Sequence, residues 1–216
     1  MLTVFILLGG QSRRMGQPKQ LVSLGSEPAW LRMVQLVRSL RHVDSRIVLV
    51  GKQAPDHLPA DVTFLPDILD AQNPLIGIAT ALAWTQSDWN LILAVDYPLL
   101  IPAVIEALEA ARASNDDVCI PSEGDTWHPL VGFYHRRVAK VVEQAAQNPS
   151  GRVRDFLQGL RVRVVSLDTL LPEKSFHEAL LNMNCPEDLR KVQRLVSQDD
   201  QQRPCSKYND IRLHNM

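Results

Sequence analysis

Short apolar segments rich in β-branched residues alternate with amphipathic segments along most of the chain. The apolar segments are typical of buried strands and lie at residues 3–8, 46–50, 62–65, 90–95, 117–120 and 162–165. The amphipathic segments are typical of helices and lie at residues 29–40, 75–85, 102–113 and 138–147. Strands that alternate with helices predict a single Rossmann-like α/β domain with three layers and a mostly parallel sheet.

The end of the chain departs from this alternation. Pro186, followed by the acids Glu187 and Asp188, predicts the start of a last helix, because Pro suits the first helical position and acids suit the first turn. Residues 198–216 are polar and have no apolar period. We therefore expect one domain over residues 1–197 and a disordered polar tail over residues 198–216.

Composition excludes several classes of partner and site. The 216 residues suit one domain, and the formal net charge of −1 indicates neither a nucleic-acid partner nor an anionic membrane surface. Cys119, Cys185 and Cys205 are far apart and form no C-x-x-C motif, which argues against a disulfide framework or structural zinc. The first apolar run is too short for a membrane span and lacks the basic start of a signal peptide, so we expect a cytoplasmic protein.

The first predicted strand runs into a glycine-rich basic loop with the sequence GGQSRRMGQPK. Its cations are Arg13, Arg14 and Lys19, and no acid precedes Glu27. Glycines let backbone N–H groups approach a ligand and the cations offset its charge, so the loop predicts a polyphosphate site. The spacing fits neither a Walker A loop, where Lys directly follows a Gly, nor the glycine spacing of the dinucleotide fingerprint.

Two acids follow predicted strands. Asp96 comes directly after NLILAV, at the strand edge where ligands of such sheets bind. Mg²⁺ is commonly held by one or two carboxylates together with substrate phosphates, so one Asp suffices there. Asp67 follows VTFLP, with Asp70 as a nearby competitor. The alternative for either acid is a local turn or cap role.

The loop pattern L-x-G-G-x-S-x-R-M-G-x-x-K resembles the signature loop of nucleotidyltransferases, which transfer a nucleoside monophosphate from a nucleoside triphosphate. Within that superfamily the chain looks most like the molybdenum cofactor guanylyltransferases. Further segments resemble that family: DYP from Asp96, NPLIG from Asn73, HPLVGFY from His128, GRVRDFL from Gly151 and NMNCPEDL from Asn182. The resemblance runs from about residue 3 to residue 195.

This resemblance implies a nucleotidyltransferase-type fold and transfer of GMP from GTP to the phosphate of molybdenum-bound molybdopterin. The products are molybdopterin guanine dinucleotide and pyrophosphate, Mg²⁺ is the cofactor, and molybdoenzymes or their chaperones are partners. It implies catalytic roles for Lys19, Arg14 and Asp96, with Asp96 as the metal ligand. Of Arg13 and Arg14, one is expected to meet phosphate and the other to pair with an acid, and the sequence does not decide which. The expected substrate-binding residues are Leu7, Leu8, Gly9, Gly10, Arg13, Gly16, Lys19, Asp67, Pro74, Leu75, Gly77, Asn182 and Asn184.

The resemblance also implies that Asp67 contacts guanine, since a carboxylate can accept both N1–H and the exocyclic amine. Asn182 and Asn184 are expected at alternate positions of a strand, facing one side, with a helix cap as the alternative for Asn184. His128 is a candidate on the acceptor side, although a structural role is the simpler interpretation.

The chain departs from the family pattern at three places. Asn73 replaces a usual Gly, Leu8 replaces a usual Ala, and Gln17-Pro18 replaces Gly plus an acid. Because Asn tolerates positive φ, we expect the turn at Asn73 to survive. The spacing M-G-x-P-K looks more like the cytidylyltransferase branch. The alternatives are therefore CMP transfer from CTP, nucleotide transfer to another phosphorylated acceptor, and a cofactor-binding module without catalysis.

Overall fold

The computed structural model describes residues 2–9, 21–40, 45–69, 73–148, 150–169 and 177–202. The strands in chain order are β1 (Leu2–Leu7), β2 (Ser23–Leu24), β3 (Glu27–Pro28), β4 (Ser45–Gly51), β5 (Val62–Pro66), β6 (Trp89–Ala94), β7 (Val118–Glu123), β8 (Thr126–Trp127), β9 (Val131–His135) and β10 (Val162–Ser166). The helices are α1 (Ala29–Ser39), α2 (Pro74–Trp84), α3 (Pro102–Ala111), α4 (Ala139–Ala146), α5 (Val153–Leu157) and α6 (Pro186–Gln202).

The main sheet has eight strands, in the order β10-β7-β9-β6-β1-β4-β5, with β8 paired to β7 as a hairpin. The pairs β1–β4, β1–β6, β4–β5 and β7–β10 are parallel, whereas β9 is antiparallel to both of its neighbours. The strands β2 and β3 form a separate small hairpin. The predicted strands and their alternation with helices are confirmed, but β9 was not predicted as a strand.

Helices cover both faces of this sheet, which gives the three layers that the sequence predicts. One face packs Val4 and Ile6 of β1 against residues of α1, α3 and α6. The other face packs Phe5 and Leu7 against residues of α2, α4 and α5. Successive residues of β1 therefore enter two different cores, which explains why the strand is apolar throughout rather than alternating.

The order of the strands reverses direction at β1. The chain adds β4 and β5 on one side of β1 and then returns to place β6 on the other side. In open α/β sheets a crevice forms outside the carboxyl ends of the strands at such a switch point, and ligands bind there. The fold therefore points to the gap between the ends of β1 and β6.

The last helix, α6, continues to Gln202, beyond the domain boundary expected after residue 197. Residues 203–216 lie outside the described residues, so the extent of the tail stays a prediction. Among the described cysteines, Cys119 is buried, Cys185 is half-buried, and neither forms a disulfide. None of the helices in the described ranges has the length and apolarity that a membrane crossing requires.

Candidate active site

Three of the predicted site segments lie at one edge of the sheet, at the carboxyl ends of β1, β5 and β6. The chain leaves β1 through Gly9, whose φ is +77°. A residue with a Cβ atom adopts that conformation only at a cost, which accounts for glycine there. Asp67 directly follows β5, and Asp96 lies in the turn after β6. Both acids therefore share this edge with the start of the predicted phosphate loop.

Most of the predicted phosphate loop lies outside the residues that the structure describes. Asp70, the competitor of Asp67, lies outside them as well. The polyphosphate role of the loop therefore stays a prediction from the sequence. The residues concerned are Gly10, Arg13, Arg14, Gly16 and Lys19.

The side chains of Leu7 and Leu8 are buried in the two cores, so any contact they make with a nucleotide is through their backbone. Gly77 of α2 faces Leu7, and a Cβ atom on this glycine would lie 3.1 Å from a methyl carbon of Leu7. Gly51 of β4 faces Leu8, and a Cβ atom on this glycine would lie 3.0 Å from the Cβ atom of Leu8. Leu75 is also fully buried. The predicted binding position Gly77 thus sets how closely α2 approaches β1, and Gly51, which was not predicted, does the same for β4.

Asp67 is half-buried at the end of β5. Its backbone N–H donates to the carbonyl of Gly51 at 3.0 Å, and the next N–H, of Ile68, donates to Thr80 Oγ1 at 3.1 Å. Burial raises the pKa of Asp67, and the nearby charge of Lys52 only partly opposes that rise. The carboxyl group is therefore poorly hydrated, and a ligand that donates hydrogen bonds to it would stabilise its charged form.

Asn73 caps α2. Its Oδ1 accepts from the N–H of Leu75 at 2.9 Å, and its Nδ2 donates to the carbonyl of Asn148 at 3.1 Å. The backbone of Asn73 is extended, with φ of −139°, so the positive φ that we anticipated is not used. Pro74 takes the first helical position, where its missing N–H has no cost.

The Asp96 turn is held from two sides. The carbonyl of Asp96 accepts from the N–H of Met183 at 3.0 Å, which joins the turn to the segment before α6. On the other side, Arg32 Nε of α1 donates to the carbonyl of Pro98 at 3.2 Å. Asp96 itself is half-buried, whereas Tyr97 is buried. The turn that bears the carboxylate is thus held by a backbone N–H before α6 and by the side chain of Arg32 in α1.

The expectation that Asn182 and Asn184 occupy alternate positions of a strand is wrong. Residues 181–184 have no regular secondary structure, and Asn182 is half-buried whereas Asn184 is exposed. The cap of α6 comes from Asp188, whose Oδ2 accepts from the N–H groups of Asn184 and Cys185 at 3.1 Å each. An acid in the first turn thus reaches back to the helix start, as in a capping box.

A polar cluster lies behind the Asp96 turn, and two of its members, Tyr97 and His128, are buried. The hydroxyl of Tyr97 lies 3.3 Å from Nδ1 of His128, and the side chain of Asn182 lies near enough to lower the pKa of Tyr97. Nε2 of His128 faces Oε2 of Glu123 at 3.9 Å, and the other oxygen of Glu123 is hydrogen-bonded to Nδ1 of His177. This cluster joins the β7–β8 hairpin, the Asp96 turn and the segment before α6.

Burial governs the protonation of this cluster. It raises the pKa of Tyr97 to about 12, against a smaller lowering by the Asn182 side chain. It also lowers the pKa of His128, and the Glu123 charge offsets this only in part. Near neutral pH, Tyr97 is therefore a phenol and His128 a neutral imidazole, so each can both donate and accept a hydrogen bond.

The sequence analysis missed most of this cluster. His128 was a candidate from its motif, but Glu123 and His177 carried no signal because their contacts join residues far apart in the chain. Tyr97 lies directly beside Asp96 in the DYP motif, and this position was a signal that the sequence analysis did not use. The Gly124 turn, at φ of +53°, marks the hairpin that brings Glu123 near His128.

The donor set at this edge suits a divalent cation that is shared with substrate phosphates. Across the described ranges, no group of three or more His, Cys, Asp or Glu side chains is arranged to hold a metal ion. Asp96 supplies a single carboxylate beside the switch-point crevice. Mg²⁺ is commonly bound in this way, through one or two carboxylates and the phosphates of the substrate.

Comparisons with known proteins agree with this arrangement. A family model described as the MobA-like NTP transferase domain matches residues 4–167. A relative from Carboxydothermus hydrogenoformans, named a probable molybdenum cofactor guanylyltransferase, is 32% identical over 197 residues, which cover 91% of this chain and 97% of the relative. A relative from a Nostoc species with the same name is 34% identical over 203 residues, covering 89% and 90% of the two chains.

Among solved structures, molybdopterin-guanine dinucleotide biosynthesis protein A from Archaeoglobus fulgidus superposes with a TM-score of 0.76. The match covers 91% of this chain and 99% of that chain, at 22% sequence identity. At that identity the likeness concerns the fold.

Proposed function

The chain belongs to the MobA-like NTP transferase family, and from this premise we propose that it transfers GMP from GTP to the phosphate of molybdenum-bound molybdopterin. The proposal draws on the names of its relatives, which are called probable molybdenum cofactor guanylyltransferases and which this chain matches along nearly their whole length. The observation that carries it is the placement of Asp96 at the switch-point crevice, between a half that bears Asp67 and α2 and a half that bears His128 and Asn182.

This division suits a reaction that joins two substrates. On the β4–β5 half, the desolvated carboxyl of Asp67 is suited to the donor edge of guanine. On the β6–β7 half, the Asn182 segment is tied to the Asp96 turn through Met183. We assign the first half to GTP and the second to the phosphorylated pterin. Their phosphates then meet beside Asp96, with Arg14 and Lys19 of the predicted loop offsetting charge on the triphosphate.

The reaction is a substitution at the α-phosphorus of GTP. An oxygen of the acceptor phosphate forms a bond to that phosphorus, the bond to the β-phosphate oxygen breaks, and pyrophosphate leaves with the electron pair. The acceptor phosphate is already ionised near neutral pH, because its second pKa is about 6, so no general base is needed. The chain's own groups act by positioning the phosphates and offsetting their charge. A Mg²⁺ ion held by Asp96 would supply further charge neutralisation.

We propose that the product passes to a molybdoenzyme or its chaperone in the cytoplasm. The basis for this is the molybdopterin-guanine dinucleotide in the name of the Archaeoglobus fulgidus protein, which is a cofactor that another protein must use.

The test is pyrophosphate release by the purified full chain with molybdenum-bound molybdopterin and each of the four NTPs in turn. We expect release with GTP and little with the others. A preference for CTP, which the Met15 to Lys19 spacing favours, would replace the guanylyl assignment. Binding of the pterin without release from any NTP would instead indicate a cofactor-binding module.

A further inference from the structure

The backbone at Asp67 is held by hydrogen bonds on both sides of its Cα atom. The N–H of Asp67 donates to the carbonyl of Gly51, at the end of β4, at 3.0 Å. The N–H of Ile68, which belongs to the next peptide group, donates to Oγ1 of Thr80 in α2 at 3.1 Å. Because each peptide group is planar, holding both groups fixes the direction in which the Asp67 side chain leaves the backbone. That direction thus depends on a side chain of α2.

The hydroxyl of Thr80 has only one possible arrangement of hydrogen bonds. An N–H group can only donate, so Oγ1 of Thr80 accepts from Ile68. The hydroxyl proton goes to the carbonyl of Ile76, four residues earlier in α2, at 2.8 Å. Threonines in helices often donate to that carbonyl, and this bond alone would satisfy the proton of the buried hydroxyl. The bond from Ile68 is the one that joins the helix to the segment after β5.

Side-chain packing contributes little to the position of this segment. After Asp67 the chain continues with Ile68 and Leu69, whose side chains are 46% and 37% exposed. Neither side chain is packed into the two cores that the described residues form. A surface segment with few buried apolar contacts opens easily, so its position depends on the hydrogen bonds of its backbone.

The helix that carries Thr80 also packs against β1. Gly77 of α2 lies so close to Leu7, the last residue of β1, that a Cβ atom on Gly77 would be 3.1 Å from a methyl carbon of Leu7. Residues three apart are neighbours on the surface of a helix, so Thr80 makes its contact beside that of Gly77. One contact holds the strand that leads into the predicted triphosphate loop, and the other holds the segment that bears Asp67. We infer that α2 sets the distance between these two parts of the crevice.

We propose that Thr80 is a positioning residue for base selection, whose hydroxyl holds the peptide group between Asp67 and Ile68 so that the Asp67 carboxylate is aligned with the nucleotide base. This rests on the proposed function for the role of Asp67 toward guanine. A carboxylate that accepts two N–H groups must match their direction, because hydrogen bonds weaken steeply when they are misaligned. The role belongs to the hydroxyl and not to the methyl group of Thr80, so Thr80→Val and Thr80→Ser must differ.

The hydrogen bond from Ile68 can be measured without any substrate. Amide hydrogen exchange, followed by NMR on the full chain, reports on this N–H directly. Thr80→Val keeps the shape of the side chain but removes the hydroxyl, and we expect it to accelerate exchange at Ile68 by at least about tenfold. Thr80→Ser keeps the hydroxyl and should change the exchange rate by less than about threefold. Equal rates in the wild type and Thr80→Val would overturn the proposal, whatever the enzyme's activity.

Base selection is measured by calorimetry, as the Kd of GTP and of CTP in the absence of the acceptor. In Thr80→Val we expect the preference for GTP to fall by roughly fivefold to tenfold, because the carboxylate is present but misaligned. Thr80→Ser should keep the preference, although loss of a buried methyl group lowers its stability. In an Asp67→Asn background Thr80→Val should add nothing further, because Thr80 acts through Asp67. Equal preferences in Thr80→Val and Thr80→Ser, or additive effects, would contradict the positioning role.

Thr85→Val is the matched control for the loss of a buried hydroxyl. Thr85 follows the last residue of α2, where its buried hydroxyl donates to Oδ1 of Asn90 at 2.6 Å and accepts from the N–H of Ser87 at 3.0 Å. These partners lie at the start of β6, away from Asp67. Thr85→Val should therefore lower thermal stability and leave the preference for GTP unchanged, and an equal loss of preference would refute the role of Thr80. A wild-type preference for CTP would instead refute the guanylyl assignment, while exchange at Ile68 still decides whether Thr80 holds the Asp67 segment.

Discussion

Replacing Asp67 with Asn tests the choice of base most directly. The carboxylate can accept two hydrogen bonds from guanine, from N1–H and from the exocyclic amine. The amide of Asn can accept only one, and its NH₂ group would face a donor. Cytosine presents a donor beside an acceptor, which an amide matches. The substitution should therefore lower kcat/KM for GTP relative to kcat/KM for CTP.

The size of the effect follows from the surroundings of Asp67. The half-buried carboxyl has a pKa raised by burial, so in the absence of a donor edge it lacks full hydration. Loss of a hydrogen bond to a charged group costs about 1.5–3 kcal/mol, which at about 1.4 kcal/mol per decade is roughly ten- to a hundredfold in kcat/KM. We expect the GTP:CTP ratio of kcat/KM to fall by at least about tenfold.

The assay is pyrophosphate release at varied GTP or CTP with the acceptor held constant. Asp61→Asn is the matched control, because Asp61 lies just before the same strand and pairs on the surface with Arg38 at 2.6 Å. It should leave the ratio unchanged. In the wild type the ratio should also fall as the pH falls through the raised pKa of Asp67, and Asp67→Asn should abolish that dependence. An unchanged ratio in Asp67→Asn would remove this residue from the base pocket.

Three further variants test the phosphate loop, the metal ligand and the sheet. Lys19→Ala should reduce kcat by roughly 10²–10³ with an unchanged circular dichroism spectrum, and near-normal turnover would contradict the loop's role. Asp96→Asn should shift the activation curve for Mg²⁺ to higher concentration, whereas an unshifted curve would make Asp96 a turn residue only. Gly132→Ala should lower the free energy of unfolding, measured in urea, by an amount near the upper end of roughly 1–3 kcal/mol, because its Cβ atom would lie 2.5 Å from the carbonyl oxygen of Cys119. Gly159→Ala is its control, since a Cβ atom there meets nothing within 4 Å.

The parallel part of the fold could be predicted because its strands are buried on both faces. Continuous apolar runs such as residues 3–8 have no other simple interpretation when helices alternate with them. The strand β9 was missed because its five residues, VGFYH, include a glycine and because no helix separates it from β7 and β8, so it breaks the alternation of strands and helices. Gly132 sits in this strand where the backbone of Cys119 approaches closely, a constraint that only the paired strands reveal.

The placement of the candidate residues was predicted best where a residue directly follows a strand end. Gly9, Asp67 and Asp96 lie at the same edge of the sheet, as their positions after strands indicate. The alternation of Asn182 and Asn184 indicated a strand, yet the structure has an irregular segment there. Its conformation depends on the Met183 to Asp96 hydrogen bond, and local sequence carries no information about a partner so distant in the chain.

Two of the chain's departures from the guanylyltransferase pattern have structural explanations that do not involve the base. Leu8 is larger than the usual Ala, but its side chain lies in the core against Gly51, which has no side chain to obstruct it. Asn73 replaces Gly without using a positive φ, and its amide caps α2 and binds the carbonyl of Asn148.

Only Gln17-Pro18 is left to favour CTP, and those residues belong to a loop whose predicted ligand is the triphosphate. Every NTP carries that triphosphate, so the loop has little means of distinguishing one base from another. Discrimination must then come from the β4–β5 half of the crevice, where Asp67 is the acid at the strand end. The guanylyl assignment therefore depends on this carboxylate more than on the number of motif positions that match, and the GTP:CTP ratio of Asp67→Asn measures that dependence.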